Sequence, residues 1–507
     1  MADDGLIIVF VHGWSVSTIK TYGGLPERLR AAATNVGMDV QVEEIYLGRY
    51  ISFRDEVRVP DISRAFRTAV ADQLSVPLSK GRRFVCITHS TGGPVIRHWW
   101  HRYYDSVQGS GKCPISHLVM LAPANFGSAL AQLGKGRIGR LKSWFGGVEP
   151  GQGVLDWLEL GSDEAWDLNK SWINSDGSQI GAAGVFPFVL VGQSIDRKLY
   201  DNLNSYTGEL GSDGVIRTAA ANLNAKYIRL EQQPPVRPGP GRPWAARHFE
   251  PPELVSAPVT AMRLLSGKSH SGASIGVMQS VKATLEDSAS DETVACILRC
   301  IQVQSKSQYR ALSKAFAVET EKVQMAERIE VTRGTLRRPR IFLRDRFSML
   351  IFRVHDSQGY RVTDFDLVLT AGPRNSPDHL PEGFFVDRQR NSVNRNTVSY
   401  YINHDVMKTS DAIINDDDEV LRPPLPGADR LGFRIKPRPK SGFVHYLPCQ
   451  ISASEELLEM VLAPNVTTLV EIVLNRVVRQ NVFRVDRRRD IDDDDFRRTP
   501  PGAAIVE

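Results

Sequence analysis

Of 507 residues only five are cysteines, Cys86, Cys113, Cys296, Cys300 and Cys449, an odd number scattered along the chain. That excludes a disulfide framework and points to a reducing compartment. No uninterrupted apolar run approaches the roughly 20 residues that a bilayer-spanning helix needs, which excludes an integral helical membrane protein. A cationic leader and a small-residue cleavage site are also missing, because Asp3 and Asp4 run straight into Leu6-Ile7-Ile8-Val9-Phe10-Val11. That run reads as a core strand, and the expected location is cytoplasmic, or exported without a cleaved signal peptide. Charge of one sign is scarce: 63 Lys and Arg against 58 Asp and Glu leave a formal +5, dispersed along the chain, which argues against nucleic acid as a partner.

What is present is ordinary globular composition, 42% hydrophobic and 24% charged, so the chain folds, and its length suits two domains better than one. The first part alternates buried-strand runs, Leu6–Val11, Val40–Ile45, Arg83–Thr88, His117–Ala122 and Phe186–Val191, with amphipathic stretches. Leu25–Val36 is one such stretch, and another runs from Ile62 to Val76 behind Asp61 as N-cap. Strand and helix in alternation predict a mostly parallel sheet covered by helices on both faces.

An aromatic insertion over about 129–185 interrupts this pattern, with Trp144, Phe145, Val148, Leu155, Trp157, Leu158 and Trp166. A Pro-rich loop follows at 232–252. Segments Ser274–Leu285, Glu292–Val303 and Ser305–Ala326 read as helices. Beyond Ile341 short alternating segments, Phe347–Val354, Tyr360–Leu369, Val398–Ile402 and Val466–Val473, predict an antiparallel sandwich. The expected organisation is a catalytic domain at 1–288, a helical connector at 289–338, a β-rich domain at 339–485 and a charged tail at 486–507. The acidic runs Asp416-Asp417-Asp418-Glu419 and Asp492–Asp495 lack the alternating spacing of a calcium loop and read as solvated turn and tail.

The chemistry concentrates at Thr88-His89-Ser90-Thr91-Gly92-Gly93, between an apolar strand and the amphipathic helix that begins at Pro94. A serine at the tip of such a turn projects its hydroxyl above the sheet, and the backbone N–H groups after it stand at a helix N-terminus where they can stabilise an oxyanion. Ser90 is the candidate nucleophile. Thr88 occupies the place of the first glycine in G-x-S-x-G, a departure that puts a β-branched residue beside the strand–helix crossing. The strand Val9–Val11 ends in His12-Gly13-Trp14, so the candidate oxyanion donors are the backbone N–H groups of Trp14 and Thr91. His12 is expected to hold that loop rather than to transfer protons.

An acid and then a histidine must follow the serine in sequence. Asp213 in Ser212-Asp213-Gly214-Val215-Ile216 is the stronger candidate acid and Asp196 its rival. His270 in Lys268-Ser269-His270-Ser271-Gly272 is the candidate base, whereas His89, His98, His101 and His248 read as structural.

These motifs resemble the α/β-hydrolase superfamily, and within it the lipase and esterase branch, over roughly residues 5–285. Val119–Ser128 looks like the strand after the nucleophile helix in lipases, and Ser212–Ile216 is similar to the acid loop of bacterial lipases and lecithin:cholesterol-acyltransferase-like enzymes. The resemblance implies attack of Ser90 on an acyl carbonyl, an acyl-enzyme and its hydrolysis by water, with no cofactor and no metal.

The architecture also resembles, loosely, bacterial phospholipase effectors. The insertion places tryptophans among Lys135, Arg137, Arg140 and Lys142; each aromatic taken singly reads as packing the cap onto the hydrolase core, while together they make a lipid or acyl-ester substrate and membrane-surface contact through the cap the expectation. A protein partner for the β domain stays open. A small-ester esterase or thioesterase, a peptidase or acyltransferase with the same triad, and a non-catalytic binding protein on the same fold are the competing readings.

Overall fold

The computed structural model describes residues 5–12, 21–52, 54–104, 112–132, 151–196, 209–236, 248–250, 252–284, 291–332, 340–415, 417–428, 430–453 and 461–478. Trp14, Trp144, Phe145, Val148, the four cap cations and the charged tail lie outside them.

Strands β1 (Leu6–His12), β2 (Val40–Tyr46), β3 (Phe84–His89), β4 (Ile115–Leu121), β5 (Phe186–Gly192) and β8 (Ala261–Leu265) form one fully parallel sheet in the order β2-β1-β3-β4-β5-β8. β3 and β5 are buried along nearly their whole length because helices cover both faces, which is why these strands read as continuous apolar runs instead of alternating. The covering helices are α1 (Leu25–Asn35), α2 (Val59–Gln73), the short α3 (Ser75–Ser79) and α4 (Gly92–Tyr104). Asp61 is not the N-cap of α2. It occupies the third position, where its carboxylate accepts from the Arg58 N–H at 3.1 Å, because Val59-Pro60 already starts the helix and proline suits the first turn.

Between β5 and β8 the chain leaves this sheet. It passes through α7 (Thr218–Ala221) into β6 (Lys226–Glu231) and β7 (Glu253–Ser256), which join a second six-stranded sheet in the order β13-β14-β11-β20-β6-β7. Its other members are β11 (Phe347–Asp356), β13 (Phe385–Arg390), β14 (Thr397–Asn403) and β20 (Thr467–Leu474). β20 runs parallel to both β11 and β6, so this sheet is mixed and not purely antiparallel. The reason is topological, since β6 enters from the first half of the chain. A three-stranded antiparallel sheet, β12 (Phe365–Ala371), β17 (Leu431–Pro437) and β19 (Cys449–Ala453), faces it, and Leu350, Phe352, Val470, Leu367, Phe433 and Ile435 fill the space between. This is a sandwich-like β unit. Three separate two-stranded antiparallel pairs are β9 (Ile329–Thr332) with β10 (Arg340–Leu343), β15 (Ile413–Ile414) with β16 (Val420–Arg422), and β18 (Val444–His445) with β21 (Val477–Val478).

Helices α8 (Glu292–Ile301) and α9 (Lys306–Ala326) pack back onto the parallel sheet, with Tyr309 donating to the Pro187 carbonyl at 2.6 Å. Segment 274–284 is a series of turns, not a helix. Its backbone is committed elsewhere: Val277 N–H donates to the Ser269 carbonyl at 2.8 Å, and a Cβ on Gly276 would stand 2.4 Å from the Gly272 carbonyl oxygen.

The insertion contributes α5 (Gln152–Leu158) and α6 (Asp163–Ile173). Its tryptophans Trp157, Trp166 and Trp172 are buried, at 2%, 1% and 7% exposure, and so are core residues and not membrane-facing ones. Trp166 lies under the Arg353 guanidinium of β11, 5.3 Å from the ring centre, and Trp172 meets Trp100 of α4 at 5.9 Å, so the cap packs against both α4 and the second sheet. Among the described residues no helix is long and apolar enough to cross a membrane.

Candidate active site

Ser90 sits one residue past β3, with φ of 53°. Left-handed backbone is costly for a non-glycine residue and persists here because the surroundings over-determine it. Ser90 N–H donates to the Leu121 carbonyl at 3.0 Å, and the Ser90 carbonyl accepts from Ala124 at 3.2 Å. The glycines after it are steric necessities: a Cβ on Gly93 would stand 2.6 Å from the Pro123 side chain, and one on Gly92 would lie 3.2 Å from Thr88 Cβ. Thr88 is thus accommodated at its unusual position by the glycine opposite it.

His270 enters from the loop after β8. Its Nε2 lies 3.1 Å from Ser90 Oγ and its Nδ1 lies 3.0 Å from Asp213 Oδ2. His270 and Asp213 are almost wholly enclosed, at 1% and 0% exposure. The second Asp213 oxygen accepts from the N–H groups of Val215 and Ile216 at 3.0 and 2.7 Å, and the Asp213 carbonyl accepts from His270 N–H at 2.9 Å. With both carboxylate oxygens engaged, this is an arrangement in which an imidazole can donate from Nδ1 to Asp213 and accept at Nε2 from the serine hydroxyl. Asp196 instead accepts from Ser274 Oγ at 2.7 Å, within the loop that carries His270.

Thr91 is buried at the start of α4, and Trp14 lies outside the described residues. His12 is fully enclosed, stacked on Tyr46 at 4.2 Å and edge-on to Tyr22 at 4.9 Å. Burial lowers its pKa against the opposing pull of Glu44, 3.4 Å away. The loop that His12 is expected to hold by hydrogen bonds lies outside the described residues.

His89 takes the structural role expected of it at the site itself: its Nε2 lies 3.1 Å from the His270 carbonyl and the two rings stand 4.6 Å apart. Burial, with the neighbouring His270, holds its pKa well below the ordinary value, so the ring stays neutral and supports the His270 loop. Its place beside Ser90 was the available signal. Beside the serine lies an apolar recess lined by Thr91, Leu130, Leu155, Leu158, Val215 and Ile216 among others. Hydrocarbon suits such walls and charge does not.

On α4, His98 is also structural, with Nδ1 3.0 Å from Ser63 Oγ. Burial, helped by His101 and Arg102, pushes its pKa down to about 4. Below pH 6.5 the unfolded chain protonates this imidazole while the folded chain does not until about pH 4, so stability present at neutral pH is lost on acidification through that window. The expected size is of order 2 kcal/mol, discounted for the ring's partial exposure. Urea titrations at pH 7 and pH 4.5 should show a smaller acid loss in His98→Gln than in wild type, and an identical loss would refute the assignment.

A parallel sheet with a serine on a strained strand-to-helix turn, within hydrogen-bond distance of a histidine that in turn meets a buried aspartate, the aspartate and then the histidine following the serine in the chain, is the architecture of an α/β hydrolase of the serine ester hydrolase class. No protein-family model matches the chain, and no curated protein matches it by sequence. Solved structures do. Phospholipase PlaB from Legionella pneumophila in complex with thio-NAD is 41% identical, with 96% of this chain and 97% of that chain covered and a TM-score of 0.81. The same phospholipase in a structure named without thio-NAD is 42% identical over the same shares, again with a TM-score of 0.81. The chain belongs to the family of phospholipase PlaB.

Proposed function

We propose that this protein is a lipase of the phospholipase type that cleaves carboxylic esters of glycerophospholipids through Ser90, His270 and Asp213. The observation that carries the reading is His270 standing between Ser90 and Asp213 at 3.1 and 3.0 Å beside an apolar pocket. The kinship with phospholipase PlaB supports the substrate class. Ser90 Oγ attacks the ester carbonyl and its proton passes to His270 Nε2, while Asp213 stabilises the imidazolium. The backbone N–H groups of Thr91 and Trp14 receive the oxyanion. Collapse expels the alcohol, which takes the proton from His270 and leaves an acyl-Ser90 ester. Water then adds with His270 as base, and the fatty acid is released. The chain's own residues suffice for these steps.

The apolar pocket favours a lipid over a small ester, because hydrocarbon is what its walls desolvate at a gain. Membrane contact falls to the segment 133–150, which carries Lys135, Arg137, Arg140, Lys142, Trp144 and Phe145, a composition suited to an anionic lipid surface. The decisive test is labelling of wild type and Ser90→Ala with a fluorophosphonate, together with phospholipid hydrolysis. Wild type should label, the folded variant should not, and hydrolysis should fall by about 10³-fold or more. Equal labelling of both would show that another serine is the nucleophile.

A further inference from the structure

The loop that carries Asp213 is not held by the hydrolase sheet alone. Arg217, four residues on, is buried at 2% exposure and makes a bidentate pair with Glu209, its Nε and one terminal nitrogen each 2.8 Å from a carboxylate oxygen. The same guanidinium also pairs with Asp387 on β13, more than 150 residues further along the chain. Its face lies 4.1 Å from the ring centre of Tyr401 on β14. Tyr401 is itself fully buried, and its hydroxyl stands 3.1 Å from the carbonyls of both Leu210 and Gly211, the near end of the acid loop. Gly211 is pressed so closely that a Cβ there would meet Phe347 at 2.3 Å and the Tyr401 hydroxyl at 2.4 Å. Burial works against the charge of Arg217, and the Glu209 and Asp387 carboxylates overturn that, raising its pKa above the ordinary value.

The same β13–β14 hairpin also reaches the pocket wall. Gln389 donates to the Ala129 carbonyl at 3.2 Å, and Glu159 at the end of α5 accepts from the backbone N–H and the hydroxyl of Ser392 at 2.6 and 2.7 Å. Both the acid loop and the pocket wall therefore lean on one hairpin of the second sheet.

We infer that Asp387 and Tyr401, on the C-terminal β unit, are positioning residues that hold Asp213 in register with His270 through Arg217 and the loop 209–217. The second sheet is then a structural part of the site and not an appended module. The inference rests on the reading of Asp213 as the acid. Misplacement of a charged partner by a fraction of its hydrogen-bond length is costly to catalysis even when substrate binding is untouched, because the acid acts in the transition state.

The test is a double-mutant cycle in the full-length protein. Asp387→Asn and Tyr401→Phe, each checked for folding by circular dichroism and thermal melting, should lower kcat by about tenfold with KM within about twofold. In an Asp213→Asn background the same changes should cost less than about twofold more, since a positioning residue has nothing left to position. Tyr401→Phe keeps the ring under Arg217 and carries the test if Asp387→Asn does not fold. Wild-type kcat in the folded variants, or the full tenfold loss repeated in the Asp213→Asn background, overturns the inference. If Asp213→Asn alone leaves hydrolysis unchanged, the assignment of the acid fails, and the clamp fails with it, a result distinct from either of the others.

Discussion

Asp213→Asn is expected to lower kcat for ester hydrolysis by about four orders of magnitude, and Asp196→Asn by no more than a few-fold. The asymmetry follows from where the two carboxylates point. Asp213 Oδ2 lies 3.0 Å from His270 Nδ1 while its other oxygen accepts from two backbone N–H groups, and the carboxylate is wholly shielded from water. An asparagine there presents either an amide nitrogen to Nδ1, which forces the wrong tautomer, or a neutral oxygen that stabilises an imidazolium far less well in a dry site. Asp196 accepts from Ser274 Oγ at 2.7 Å and acts on the conformation of the loop around His270, not on its ring. Steady-state rates with a short activated ester, which removes lipid-interface effects, settle the matter. Comparable losses in both variants, or a greater one in Asp196→Asn, would reverse the assignment.

Trp166→Ala is expected to destabilise the protein by about 3–5 kcal/mol, read as a large fall in the denaturant midpoint. The tryptophan lies on α6 at 1% exposure, and Arg353 covers one face of its ring. The packing around it leaves little room to collapse: a Cβ on Gly161, at the turn into α6, would meet Thr397 Cγ2 at 2.2 Å and Ile351 Cγ2 at 3.2 Å on the second sheet. A cavity opened there loosens the packing of the cap on the second sheet. Trp144→Ala is the informative contrast, for it should leave the midpoint within about 0.5 kcal/mol while weakening adsorption to anionic phospholipid vesicles. Reduced adsorption with an unchanged midpoint in Trp166→Ala would return that residue to the membrane surface.

The tryptophans illustrate what periodicity conveys and what it omits. An aromatic stripe at helical spacing declares that one face is apolar, but the partner of that face, lipid or protein, is a property of whatever approaches it. Here β11 approaches it, from the other half of the chain. Segment 274–284 shows a related limit: its apolar residues recur at helical spacing, yet the backbone groups are used to close the loop around His270, with Val277 bonded to Ser269 and Gly272 N–H donating to Gln279 at 2.8 Å. Tertiary demand overrode local propensity.

The amino-acid sequence by itself determined the parallel strands, because both faces of each central strand are covered and an unbroken apolar run records that locally. It likewise determined the turn at Ser90, where Gly92 lies against Thr88 within a short stretch of chain, although Gly93 is crowded by Pro123 beyond the next strand. It also placed an aspartate and a histidine downstream in workable order. Tertiary structure alone decided which aspartate faces the imidazole, that β6 and β7 cross into the second sheet, and that Arg217 is gripped by Asp387 and Tyr401. These are contacts between residues tens to hundreds of positions apart, and a hydrogen bond or ion pair at that separation leaves no periodic trace in the residues that make it.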